Sequence, residues 1–337
     1  MKPHICIIGA GSFGTALSVA LQKSGSEITL WAREHEVADG INQHHRNPAY
    51  LSDILLPESI RCTTRLEEAI EGAEYILFAT PSHTLREMAT KVAPLLRGHE
   101  RIVTVAKGLE TETYLRMSEI LAEELGDVID TDHIGVISGP SHAEEVALFK
   151  PTTVVVAANS RGVAKSIQDT FMTPMFRIYL NHDIVGVEIA GAVKNIMAIA
   201  AGIIEGMEMG DNAIAALMTR GLHEMKRMGL AMGASQDTFS GLAGMGDLIV
   251  TCTSTHSRNR AVGLRVGKGE SLEDIMNSMN MVAEGVKTTA SVHKWAIQHH
   301  IEMPITAAVH HILFEGTCPK EALFDLMTRN PKDEITF

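Results

Sequence analysis

The chain predicts an α/β protein in which a doubly wound sheet domain spans residues 1–185 and an all-helical domain spans residues 186–337. The first sign is the opening. A short apolar run, Ile5 to Ile8, ends in Gly9-Ala10-Gly11-Ser12-Phe13-Gly14 and passes at once into a helix-compatible run from Thr15 to Gln22. The second is an alternation, through the first half, of apolar runs such as IVTVA at 102–106 with helix-period segments. Runs apolar at every position are buried on both faces, as strands of a parallel sheet are. The third is a change of texture near residues 182–190, after which strand-like runs become rare and long helix-period segments take over.

In chain order, a strand is expected at 4–8 and a helix at 13–23. Between them Gly9 allows a tight turn, Gly11 lets the main chain approach a pyrophosphate, and Gly14 lets the helix pack close to the strand. The amides and positive dipole end of that helix then face the phosphates, which is the opening unit of a Rossmann-like dinucleotide site. Gly25 separates the helix from a second strand at 27–31. A helix is expected at 64–69, a strand at 75–79 stopped by Pro81, and a helix at 83–96. A strand at 101–106 ends in Lys107-Gly108, and a helix at 114–125 precedes strands at 134–138 and 152–158. Strand–helix alternation of this kind builds a doubly wound domain. Helices of the second domain are expected at 187–204, 213–230, 258–267, 290–299 and 305–314. Small residues are dense in 186–206 and permit close helix packing, while 330–337 is expected to fray.

The 337 residues suffice for two domains with sizeable cores. A formal net charge of −12 disfavours nucleic acid and anionic membranes, so any phosphate site must concentrate basic groups locally. Aromatic residues at 4% offer little for stacking bases. The four cysteines, Cys6, Cys62, Cys252 and Cys318, lie far apart without CxxC spacing, as suits a reducing compartment. The first strand begins by His4 with no signal peptide before it, and no uninterrupted apolar run is long enough to cross a bilayer. A cytoplasmic protein without membrane insertion is expected.

Ligands of open α/β sheets collect at the carboxyl ends of the strands. The second strand ends in Leu30-Trp31-Ala32-Arg33, where NAD-specific folds often place an acid for the ribose. Arg33 suits a 2′-phosphate instead, although Glu34 follows it, so NADPH is favoured over NADH with both usable. Lys107 at a strand end can reach an anionic oxygen, or simply extend to solvent. Ser138-Gly139-Pro140-Ser141 forms a strand-to-helix turn whose donors can face a ligand. Lys194, in the apolar helix run around Ala190-Gly191-Ala192-Val193, would have its ammonium form disfavoured by burial, which allows proton exchange near neutral pH. The blander alternative is a lysine whose head escapes to water. Ser257-Arg258-Asn259-Arg260 sets a hydroxyl, a guanidinium and an amide at a helix start, an arrangement that suits phosphate. Asp247, in Gly244-Met245-Gly246-Asp247, can orient Lys194, accept a substrate hydroxyl, or merely cap a helix. The pairs His44-His45, His299-His300 and His310-His311 lack regular metal-ligand spacing with carboxylates and are read as solvated or capping, so no metal is expected.

GAGSFGTA, Lys107-Gly108, SGPS at 138–141, GAVKN at 191–195, GMGDL at 244–248 and SRNR at 257–260 occur in this order along nearly the whole chain. Together they closely resemble the bacterial NAD(P)-dependent sn-glycerol-3-phosphate dehydrogenase family. The resemblance implies reversible hydride transfer between NAD(P)H and dihydroxyacetone phosphate, giving sn-glycerol 3-phosphate for glycerophospholipid synthesis, and a homodimer. It implies cofactor contacts at Ser12, Phe13, Arg33, Ala143, Val282 and Glu284, and a shared cofactor and substrate contact at Lys107. It implies substrate contacts at Gly139, Ser141, Asp247, Ser257, Arg258 and Asn259, with Arg258 also near the cofactor, and it makes Lys194 the proton-transfer residue. Family members often carry Trp or Tyr at the position of Phe13 and Thr or Ser at that of Ser141. The competing expectations are another two-domain reductase, of the 3-hydroxyacid or ketopantoate type, and a nucleotide-sensing regulator without turnover. SRNR favours a phosphorylated substrate over a plain carboxylate, though arginine serves either.

Overall fold

The computed structural model describes residues 2–279, 283–331 and 333–334. Eight strands form one sheet: β1 (His4–Ile8), β2 (Glu27–Trp31), β3 (Arg61–Thr63), β4 (Tyr75–Phe78), β5 (Arg101–Thr104), β6 (Ile134–Ser138), β7 (Thr152–Ala158) and β8 (Phe176–Asn181). Their order is β3-β2-β1-β4-β5-β6-β7-β8. The first six run parallel, β7 is antiparallel to β6, and β8 is parallel to β7. The order turns at β1, which lies between β2 and β4, so a crevice opens beyond their carboxyl ends. Every residue of β4 and β6 is buried, as continuous apolar runs require.

Two strands are absent from the sequence reading. β3 is three residues long, too short to show a period. β8 alternates, with Phe176 and Ile178 inside and Arg177 and Tyr179 outside, as an edge strand does. The strands expected at 75–79 and 101–106 stop earlier, at Phe78 and Thr104.

The sheet's helices are α1 (Ser12–Gln22), α2 (His35–His44), α3 (Leu66–Ile70), α4 (Leu85–Val92), α5 (Met117–Leu125), α6 (Ala143–Ala147) and α7 (Arg161–Phe171). α2 buries only Val37, Ala38 and Ile41, a stripe too narrow to stand out in the sequence. α5 begins three residues after the expected start. Tyr114 takes φ +61°, and Arg116 and Glu119 form a reciprocal cap.

The helical part comprises α8 (Ile184–Gly206), α9 (Asp211–Ala231), α10 (Asp247–Thr253), α11 (Arg258–Gly267), α12 (Leu272–Ser278), α13 (Glu284–Gln298), α14 (Pro304–Phe314) and α15 (Pro319–Met327). α8 is its axis. By length and composition this helix could cross a membrane, yet its whole apolar stretch is buried within the protein. Glycines on both helices explain the close packing of α8 against α11. A Cβ at Gly202 would fall 2.1 Å from the Arg260 carbonyl oxygen, and one at Gly263 would fall 2.0 Å from that of Ile199. α8 also docks on the sheet. The buried Glu188 carboxylate accepts from Arg116 Nη1 (2.5 Å), the Ser118 amide (2.8 Å) and Ser118 Oγ (2.6 Å). One turn further on, Gly191 passes so close to β6 that a Cβ would meet Ser138 Oγ at 2.9 Å. Lys194 lies a turn beyond Gly191 on the same face.

Candidate active site

The glycine turn shapes the cofactor end. Gly9 takes φ +115°, and a Cβ there would press on the Ala79 carbonyl at 3.0 Å. A Cβ at Gly14 would fall 1.9 Å from the Gly9 carbonyl oxygen, so only glycine lets α1 start this close to the turn. A Cβ at Gly11 would meet nothing within 4 Å, and Gly11 as N-cap supplies no side-chain acceptor to the helix. This open ground over the amide-bearing end of α1 fits a dinucleotide pyrophosphate. Asn47, fully buried, braces the turn by donating to the Ala10 carbonyl and to Thr15 Oγ1, both at 2.8 Å. Nothing periodic marks Asn47, and the Pro48 that follows it is the one local signal.

Ser12 and Phe13 open α1, and Ala143 opens α6, which packs along α1. Phe13 and Ala143 are partly buried against the same core cluster. Arg33 stands exposed beyond β2, paired with Glu34 at 2.6 Å. Glu284 opens α13 and accepts from the Ser82 amide at 3.0 Å. Burial pushes its carboxyl above the usual range, against the Ser82 amide bond and the attraction of Arg258 and Lys107. Val282 lies outside the described residues.

At the end of β5, Lys107 Nζ donates to Asp247 Oδ2 at 2.7 Å and to the Gly139 carbonyl at 3.3 Å. From α8, Lys194 Nζ donates to Asp247 Oδ1 at 2.5 Å and to Thr251 Oγ1 at 2.7 Å. One buried carboxylate thus holds two ammonium groups, one from the sheet and one from the helical part. Burial pushes Lys194 down to about 8 against the attraction of Asp247, and Lys107 acts in the same direction as burial. Burial also works against the Asp247 carboxylate, but the two lysines together outweigh it and hold the carboxyl below its usual value. Asp247 is the first residue of α10, with Gly246 as N-cap, and its carboxylate serves the lysines. Thr251, one turn along α10, completes the cradle, and its (i, i+4) spacing from Asp247 was the signal for it.

Around this cluster Ser141 Oγ donates to the Gly139 carbonyl at 3.0 Å. Ser257 caps α11 by accepting from the Arg260 amide at 3.2 Å, which leaves its proton to donate. Asn259 Oδ1 accepts from the Gly285 amide at 2.9 Å, so an anion would meet its amide nitrogen. Arg258 is the first residue of α11. Thr80 Oγ1, Ser138 Oγ and His142 Nε2 are buried without a hydrogen-bond partner among the described residues. His142 escaped the sequence reading. Burial holds it below the usual histidine range, and it lies close enough to feel Lys194 and Asp247.

Two family models, the N-terminal and C-terminal parts of NAD-dependent glycerol-3-phosphate dehydrogenase, match residues 4–164 and 183–324. The chain belongs to the NAD-dependent glycerol-3-phosphate dehydrogenase family. A protein of Salinibacter ruber named as an NAD(P)+ glycerol-3-phosphate dehydrogenase is 52% identical over 99% of this chain and 97% of its own. The crystal structure of glycerol-3-phosphate dehydrogenase from Coxiella burnetii matches with TM-score 0.92 and 41% identity, over 97% of this chain and 99% of that one. A D-mandelate dehydrogenase, 14% identical with TM-score 0.61 over 96% of this chain and 99% of its own, shares the fold alone. Between the expected rivals, the family membership decides against a nucleotide-sensing regulator and a plain hydroxyacid reductase.

Proposed function

We propose that this chain interconverts dihydroxyacetone phosphate and sn-glycerol 3-phosphate with NAD(P)H, in the cytoplasm, as a homodimer, and that its product feeds glycerophospholipid synthesis. The observation that carries the chemistry is the Lys194–Asp247–Lys107 cluster, where an amine from the helical part shares one carboxylate with a lysine that follows β5. Bound NAD(P)H supplies the hydride. Reduction builds negative charge on the ketone oxygen, and Lys194 holds the proton that quenches it. Asp247 and Thr251 fix the position of that proton. Lys107 adds a second positive charge near the developing alkoxide or the phosphate. Arg258, Asn259, Ser257 and the amide end of α11 clamp the phosphate, so that a three-carbon substrate is oriented by its charged end. Gly139 and Ser141 close the site from β6. Ser12, Phe13, Ala143 and Glu284 line the cofactor.

Absorbance of the reduced nicotinamide, followed with dihydroxyacetone phosphate and each cofactor in turn, tests the activity; a flat trace with both cofactors overturns it. In the same assay, Arg258→Ala raises KM for dihydroxyacetone phosphate by about tenfold or more, the loss of one charged bidentate contact. An unchanged KM removes the phosphate assignment. Arg33→Ala lowers the ratio of kcat/KM for NADPH to that for NADH several-fold, because about 1 kcal/mol of exposed charge pairing to the 2′-phosphate is lost. An unaltered ratio shows that Arg33 does not read that phosphate.

A further inference from the structure

We propose that His293, His310 and His311 bind one divalent cation of the zinc class, with water completing its coordination. Three imidazoles from two helices meet here, each offering a ring nitrogen, and these nitrogens all lie within 4.8 Å of one another. The His310 ring stacks on that of His293 with centroids 4.0 Å apart, and His311 meets His293 edge-on at 5.5 Å. Glu315 Oε1 lies 3.3 Å from His310 Nδ1 and 3.9 Å from His311 Nε2. His310 Nδ1 is buried and makes no hydrogen bond of acceptable geometry. Three imidazole nitrogens grouped this closely form the nitrogen ligand set of a three-histidine zinc site. Zinc–nitrogen bonds of about 2.0–2.1 Å bring ligand atoms to roughly 3.4 Å apart, so the rings close by about 1 Å on binding. His311 and Glu315, spaced (i, i+4), lie on one face at the end of α14, and His293 faces them from α13.

Adjacent histidines at 310 and 311 carry no regular ligand spacing in the sequence. The third imidazole comes from another helix, so only the packing of α13 against α14 assembles the set. The site lies away from the chemistry: His293 is nine residues along α13 from Glu284, about 13 Å at the helical rise. A bound ion would clip the last turns of α14 to α13, the helix whose first residue touches the cofactor end.

The full-length chain, stripped with a chelator and desalted, is titrated with Co2+ and then Zn2+. The expected result is one equivalent of Co2+, with the visible absorption of a tetrahedral ion, displaced by Zn2+, and a higher Tm with Zn2+ present. His293→Gln and His311→Gln each weaken Zn2+ binding by about tenfold or more, while kcat, KM and the metal-free Tm stay at wild-type values. Absence of a stoichiometric Co2+ spectrum in the wild-type chain overturns the proposal. So does undiminished Zn2+ binding in the His293→Gln/His311→Gln double variant, which would show adventitious binding elsewhere.

Discussion

Lys194→Ala lowers kcat for dihydroxyacetone phosphate by about 10³-fold, within the range of a lost general acid, and leaves NADPH binding intact. Lys194 is 5% exposed and its amine lies 2.5 Å from Asp247, a position shielded from bulk water. Lys194→Met keeps most of the volume and fills the same slot; equal inactivity in both variants separates proton transfer from packing. Steady-state rates measure the loss, and cofactor fluorescence measures the binding; retained turnover refutes the role. The wild-type pH profile carries the same signature. Burial holds Lys194 down at about 8, and ketone reduction needs its protonated form. Reduction therefore slows as pH rises through that value, while glycerol 3-phosphate oxidation, which needs the neutral amine, speeds up over the same interval. In the Met variant both slopes at this pH disappear.

The parts of this molecule that the sequence showed are those in which one residue type performs one physical job. Gly9 and Gly14 are required by a positive φ and by a 1.9 Å approach, and no other residue would serve. α8 was visible because nineteen consecutive residues, Gly186 to Ile204, are buried, and a run of that length leaves its mark in composition. β3 and α2 were hidden because three residues or a stripe of three buried side chains cannot establish a period. The site divides in the same way. Lys194 announced itself as a charge in an apolar helix. Asp247 left the choice between helix start and ion pair open, because its partners stand 53 and 140 residues away and no local pattern encodes such a distance. His142 and Glu188 act through tertiary contacts, and Asn47 adds to its own a local turn in which its Oδ1 accepts from the Ala49 and Tyr50 amides; in the sequence all three resemble ordinary polar residues.

Replacing Asp247 with Asn decides between those two readings of the residue, because they predict different dependence on pH. A helix-starting aspartate contributes about 1 kcal/mol through the backbone, and its loss would be nearly the same at pH 6 and pH 9. A buried carboxylate held between a buried and a half-buried ammonium group does more. Its neutralisation leaves Lys107 and Lys194 facing one another, and breaking a buried pair in this way costs about 3–5 kcal/mol. The variant relieves the repulsion by shedding a proton from Lys194, whose value falls below its wild-type position of about 8 once the attraction of Asp247 is gone. The folded variant then binds fewer protons than the unfolded chain, whose lysines titrate near about 10.4, so its stability rises with pH. Denaturant unfolding will show the largest deficit at pH 6 and a smaller one at pH 9, since wild-type Asp247, held below the usual carboxyl range, stays ionised across that interval. Catalysis shifts in step: the alkaline fall in reduction moves to lower pH by about one unit, which lowers kcat at pH 7 by about twofold. A deficit near 1 kcal/mol at both pH values, with the profile unmoved, would return Asp247 to the role of helix start and leave Lys194 without its partner.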